Sequence, residues 1–166
     1  MFEAQAVLHL KSSGTEWVAR RGAALAQMAL VTTFELTIFE NLHSKAYDYA
    51  VATKDGMFIR IRVEAYSSRI AGVEGVNTIP ELRWTLSADF VRQARTSKAP
   101  VVLLLFDADT DHGRYSRLDV LPAPPRGAKW VEISLPLSNT VDPASLRCLV
   151  AELRGSHGHP ADSSAA

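Results

Sequence analysis

The chain has 166 residues, 47% of them apolar, and its 18 Lys and Arg balance 18 Asp and Glu to a formal net charge of zero. That length and composition suit one domain with a sizeable core, and zero net charge excludes a global field that draws in nucleic acid, so any such binding needs a local patch. No apolar run is long enough to cross a membrane, no charged-then-apolar leader is read, and the single Cys148 excludes an intramolecular disulfide, so a reducing, cytoplasmic location is expected.

In chain order, a first helix is expected from about Gly14 to Leu30, with Trp17, Ala24, Leu25 and Met28 on its buried face and an exposed Glu16–Arg20 pair. Phe34, Leu36 and Ile38 then alternate with Glu35, Thr37 and Glu40 as a strand. A hairpin follows from Tyr47 to Tyr66. On its second strand Met57, Ile59, Ile61, Val63 and Ala65 share one face, and Phe58, Arg60, Arg62 and Glu64 share the other. A two-residue Asp55-Gly56 turn would put Asp48 on the Ile/Val face. A three-residue Lys54-Asp55-Gly56 loop, with Gly56 left-handed, keeps the large apolar residues together instead. That register sets Asp48 opposite Arg62, with Glu64 and Arg60 as neighbours on the same face.

A Ser- and Gly-rich loop spans Ser67 to Asn77, and Leu82 to Leu86 reads as a short strand. Ser87 is the expected N-cap of a helix from Ala88 to about Thr96, with Phe90, Val91 and Ala94 inward. Pro100 resets the chain into the continuous apolar run Val101 to Phe106, which reads as a central strand covered on both faces. Tyr115 to Leu121 and Trp130 to Ser134 are further strands, around a Pro122–Gly127 loop. Asp142-Pro143 opens a last helix that buries Leu146, Leu149, Val150 and Leu153 and is closed by Gly155. The expected fold class is α/β: a single domain over residues 1–155 with a mixed central β-sheet flanked by helices, and a disordered tail over 156–166.

An Asp on one strand, followed on the next by an acid or amide, any residue and then Lys, is the motif of the PD-(D/E)XK superfamily of restriction-endonuclease-like nucleases. The hairpin resembles it, within a likeness that spans Thr15 to Leu153. In that family the carboxylates hold Mg²⁺ and the lysine positions or activates the attacking water. Carried over, Asp48 matches the metal-binding Asp. In Ile61-Arg62-Val63-Glu64, Arg62 stands at the acid/amide position and Glu64 at the lysine position, and Glu16 matches the helix Glu that some members use. The chain is also similar to a bacterial family of uncharacterised nuclease-like domains. Pro100-Val101-Val102-Leu103-Leu104-Leu105-Phe106-Asp107 matches that family's "P-V-L-L-V-x-x-D" strand, and Ile133 to Asp142 its "I-P-x-x-N-x-L-T" segment. The diagnostic motif is nonetheless degenerate. A guanidinium cannot ligate Mg²⁺ and competes for Asp48 as an ion-pair partner. No lysine stands beside Glu64, and Lys45 is the nearest in sequence.

Three functions follow from the resemblance and its departures. The first is a catalytically impaired nuclease-like protein with a DNA-associated or defence-associated accessory role, for which no cofactor is expected. The second is an active Mg²⁺-dependent nuclease with a divergent site, using Asp48 and Glu64 as metal ligands and Glu16 beside them. The third is a protein–protein interaction module on the old active-site face, where Tyr47, Tyr49, Phe58 and Tyr66 supply aromatic surface. The expected partner is DNA or a protein; no membrane contact and no small-molecule ligand are indicated. Arg92, Arg95 and Lys98, with Arg83, bracket the middle helix as candidate phosphate contacts. Asp107, Asp109 and Asp111 have the spacing of a calcium loop, but His112 and Leu118 stand where such a loop needs Gly and Glu, so a polar inter-strand loop is expected. His157 and His159 in the tail lack a structured third metal ligand. Cys148, near the apolar stripe of the last helix, reads as packing.

Overall fold

The computed structural model describes residues 7–12, 14–33, 36–41 and 47–157. Its elements in order are β1 (Val7–Leu10), α1 (Glu16–Thr32), β2 (Leu36–Glu40), β3 (Tyr49–Thr53), β4 (Phe58–Tyr66), α2 (Ser68–Ala71), a 3₁₀ turn (Val76–Thr78), β5 (Glu81–Ser87), α3 (Ala88–Thr96), β6 (Val101–Asp107), β7 (Gly113–Arg117), β8 (Trp130–Pro136) and α4 (Pro143–His157). This is the expected α/β architecture of mixed sheet and flanking helices, with the strands divided between two sheets. Five strands run in the order β2-β3-β4-β6-β7, and three in the order β1-β5-β8. The β2-β3-β4 meander is antiparallel, while β6 returns through α3 to lie parallel to β4. No helix among the described residues is long and apolar enough to cross a membrane.

The two larger hydrophobic cores meet at β6, every residue of which is buried. Val101, Leu103 and Leu105 point to the core shared with Trp84, Val91 and Ile133. Val102, Leu104 and Phe106 point to the core shared with Leu30, Leu146 and Leu153. A run apolar at every position from Val101 to Phe106 satisfies both sides at once, and each fully buried Val or Leu contributes about 1.5–3 kcal/mol.

Several expectations need correction. The buried face of α1 is Val18, Gly22, Ala26 and Leu30, a strict four-residue repeat. Trp17 is 49% exposed and Met28 65% exposed, although both were expected inward. The helix comes closest to the sheet at Gly22, where a built Cβ would lie 2.6 Å from the Ala65 Cβ of β4, and that approach turns the row from Val18 to Leu30 inward and leaves Trp17 and Met28 outside it. β1 was not anticipated; it adds in parallel to β5 through Leu8↔Leu82. β7 covers Gly113–Arg117 rather than Tyr115 to Leu121; Leu118 still points into the core and its N–H bonds the Val101 carbonyl (2.8 Å), where the partner strand β6 begins. Ser87 occupies the N-cap position but makes no side-chain cap; the Ala88 N–H goes to the Lys129 carbonyl instead. Asp142 does cap α4, accepting the Ser145 N–H (2.9 Å). That helix runs through Gly155 to His157, so Gly155 does not close it and residues 156 and 157, expected in the tail, are helical. Residues 158–166, with His159, lie outside the described residues, as do Phe34, Glu35, Lys45 and the His157 side chain.

Candidate functional site

The hairpin has the expected register. Gly56 adopts φ +86° in the loop between Thr53 and Met57, and Tyr49↔Ile61, Ala50↔Arg60 and Val51↔Ile59 are cross-strand partners. Continuing that pairing by one residue brings Asp48 to Arg62. Here β3 stops making ordinary ladder bonds: Asp48 Oδ2 accepts the Val63 N–H (2.7 Å) in place of a strand carbonyl. Its Oδ1 lies 3.8 Å from Arg62 Nη1.

Arg62 is drawn more strongly the other way. Its Nε and Nη2 both lie 2.9 Å from Glu64 Oε1, and its guanidinium sits 5.6 Å from the centre of the Phe90 ring. Strand neighbours two apart share a face, so Arg62 reaches Glu64 with little distortion. Burial pushes the Glu64 carboxyl above its usual range; Arg62 pulls it back by charge and hydrogen bond, and Asp48 adds a smaller upward push. One guanidinium thus serves two carboxylates in a half-dry setting.

Glu16 reaches the same place from the start of α1. Together with Asp48, Arg62 and Glu64 it lines a cleft of about 460 Å³ between that helix and the ends of β3 and β4. Its carboxylate is paired with Arg20. A second cavity of about 410 Å³ adjoins the first across Arg62 and Glu64, and is walled by Phe90, Trp130 and the end of β5. All four motif positions therefore meet at one cleft.

The donor set does not fit Mg²⁺. One Asp48 oxygen is taken by a backbone N–H, Glu64 Oε1 is taken by Arg62, and the guanidinium already sets a positive charge beside both carboxylates. No group of three His, Cys, Asp or Glu side chains among the described residues converges for metal binding.

The remaining candidates are placed elsewhere. Arg92 donates to Asp89 and to the carbonyls of Pro125 and Ala128, and Arg95 to the Leu121 carbonyl, so both hold the 121–128 segment against α3. Arg83 pairs with Glu81, and Lys98 is exposed on the loop before β6. Tyr49 and Tyr66 are buried, Tyr47 stacks under Arg60 (5.2 Å), and Phe58 alone of the four expected aromatics is exposed. Cys148 is exposed rather than packed. The acidic loop is a staple. Asp107 accepts the N–H groups of Ser68 and Asp109, Asp109 accepts Ser67 Oγ and the Arg69 N–H, and Asp111 pairs with Arg21.

Sequence reasoning missed Phe90 and Trp130 as cavity walls. It also missed Arg114, buried and donating to the carbonyls of Leu135, Val76 and Ile79. The available signals were an aromatic in the first turn of α3 and an arginine within an otherwise inward strand position.

No family model matches the chain, and no curated protein does. Among solved structures it is similar to Hjc, a Holliday junction resolvase from the archaeal hyperthermophile Archaeoglobus fulgidus. Identity is 18%, the match covers 76% of this chain and 94% of the resolvase, and the TM-score is 0.47. At that level the likeness adds nothing to what the strand order and side chains show.

Proposed function

We propose that this chain is a restriction-endonuclease-like protein that has exchanged its metal for a guanidinium, and that it associates with DNA without hydrolysing it. The observation that carries the reading is Arg62, which stands where the resembling family places a metal-binding acid or amide and is held 2.9 Å from Glu64 and 3.8 Å from Asp48. Arginine stays charged at any working pH, so it neutralises the acids permanently and cannot exchange as a bound ion does. Hydrolysis would need a water activated beside the scissile phosphate, and no lysine among the described residues lines the cleft. The DNA association rests on the resemblance of the hairpin and on the open cleft beside it.

Calorimetric titration with Mg²⁺ and Mn²⁺, followed by cleavage assays on single-stranded, duplex and four-way-junction DNA, tests this. Weak or no metal binding and no cleavage are expected. Metal-dependent cleavage that vanishes in Asp48→Ala would establish the active nuclease reading in its place.

One observation favours a protein partner as a second reading. Phe39 is 50% exposed and Phe58 55% exposed, and the register puts both on the sheet face that carries Asp48 and Arg62. Replacing both by Ser should abolish capture of such a partner while leaving DNA association intact.

A further inference from the structure

The cavity beside the Arg62–Glu64 pair belongs to no step of the reading above, yet it is shaped for a ligand. Its volume of about 410 Å³ lies in the range of small-molecule sites. Two of its walls are aromatic. Phe90 is backed by the Arg62 guanidinium at 5.6 Å, which fixes the ring from one side. Trp130, the first residue of β8, is 66% exposed, a large ring left in water at the cavity mouth. Its end is polar in a particular way. Both Arg62 contacts fall on Glu64 Oε1, and no described residue donates to Oε2. The Ser87 hydroxyl, also lining the cavity, makes no capping bond.

We propose that this cavity takes an unpaired guanine base of a single-stranded nucleic acid, stacked on Trp130 and read by Glu64. Stacking on an aromatic side chain is how proteins hold unpaired bases, and the Watson–Crick edge is then read by hydrogen bonds. A carboxylate only accepts, so it selects an edge that only donates at that point. Guanine offers two neighbouring N–H donors there, and a hydroxyl such as that of Ser87 can donate to its carbonyl oxygen. The ligand class rests on the DNA-associated reading, and narrows it to single strands or unpaired sites.

The test is fluorescence anisotropy of labelled 12-mers of thymidine that carry one central guanine, adenine or abasic site. The guanine oligonucleotide should bind about tenfold more tightly than the abasic one, the size of a single base–aromatic stack. Trp130→Ala should erase that difference while its melting temperature stays near wild type, because the ring is mostly exposed; Trp130→Phe should restore much of it. Glu64→Gln should bring guanine down to the level of adenine. Equal affinity for guanine and abasic oligonucleotides would overturn the base pocket while leaving DNA association standing. Failure of every oligonucleotide and of duplex DNA to bind would overturn both. Equal wild-type affinity for guanine and adenine would overturn the assignment of guanine.

Discussion

Two acidic clusters in this protein are built from the same residue types and treated in opposite ways. In the 107–111 loop each carboxylate has its own donors: Asp107 is fully buried yet takes two backbone N–H groups and the Thr110 hydroxyl. Hydrogen bonds from Ser67 Oγ and then the Arg69 N–H hold the Asp109 carboxyl below its usual range. In the cleft, Glu64 is desolvated with one shared guanidinium and its carboxyl is pushed up. Donors supplied by the backbone make a carboxylate part of the scaffold. Burial with too few donors leaves one available for a ligand, which is the pattern of functional sites.

The hardest way to break this comparison is to bury a carboxylate with no donors at all. Leu104 is as buried as Asp107 but packs in the hydrophobic core with Leu30, Leu146 and Leu153. Leu104→Asp should therefore abolish cooperative urea unfolding by stranding a charge in the core. In the wild type, native-state hydrogen exchange should find the β6 amides among the slowest; fast exchange there would refute its central placement.

Removing the donors' partner comes next. Asp107→Ala should leave the Ser68 and Asp109 N–H groups unmet and cost about 2–3 kcal/mol in urea denaturation. A loss near zero would mean that the loop relaxes to satisfy them otherwise.

The cleft should respond more weakly. Double-mutant cycles to Ala should give Arg62 a coupling to Glu64 larger than that to Asp48, each within about 0.2–1 kcal/mol for partly exposed pairs. Both couplings should shrink at high salt. Additive energies for Asp48 and Arg62 would place Asp48 in service of the Val63 N–H alone.

The smallest effect is a difference of sign. Glu64 has a raised pKa, so its contribution to stability is fully present below its unfolded value of about 4.3 and is lost as pH rises through the folded value. Asp109 has a lowered one, so its contribution is present above about pH 3.9 and is lost on further acidification. Urea titrations of Glu64→Gln and Asp109→Asn against pH should tilt the wild-type curve in opposite directions. The same tilt in both would erase the distinction between the clusters.

What the sequence determined by itself was whatever a short periodic pattern specifies. The hairpin register followed from the alternation of Ile59, Ile61 and Val63 with charged residues and from the length of the Lys54–Gly56 loop. The burial of β6 followed from a run apolar on both parities, and the start of α4 from Asp142-Pro143. From that register, Asp48 and Arg62 could be set face to face, and the helix Glu16 added by resemblance.

Tertiary structure decided everything that depends on distance between elements. Residue size along α1 suggested that Trp17 and Met28 face the core, but α1 approaches Ala65 so closely that position 22 has no room for a side chain, and the buried row is Val18, Gly22, Ala26 and Leu30 instead. The division into two sheets depends on β5 pairing with β8 and β1, both far from it along the chain, which no local pattern announces. Arg92 and Arg95 look available for phosphate until the 121–128 segment folds back and offers them carbonyls. In the cleft, Arg62 lies 2.9 Å from Glu64 and 3.8 Å from Asp48, while the other Asp48 oxygen accepts the Val63 N–H. Periodicity tells a side chain which face it occupies, whereas its partner there is settled by whichever donor or acceptor the folded chain brings within about 3 Å.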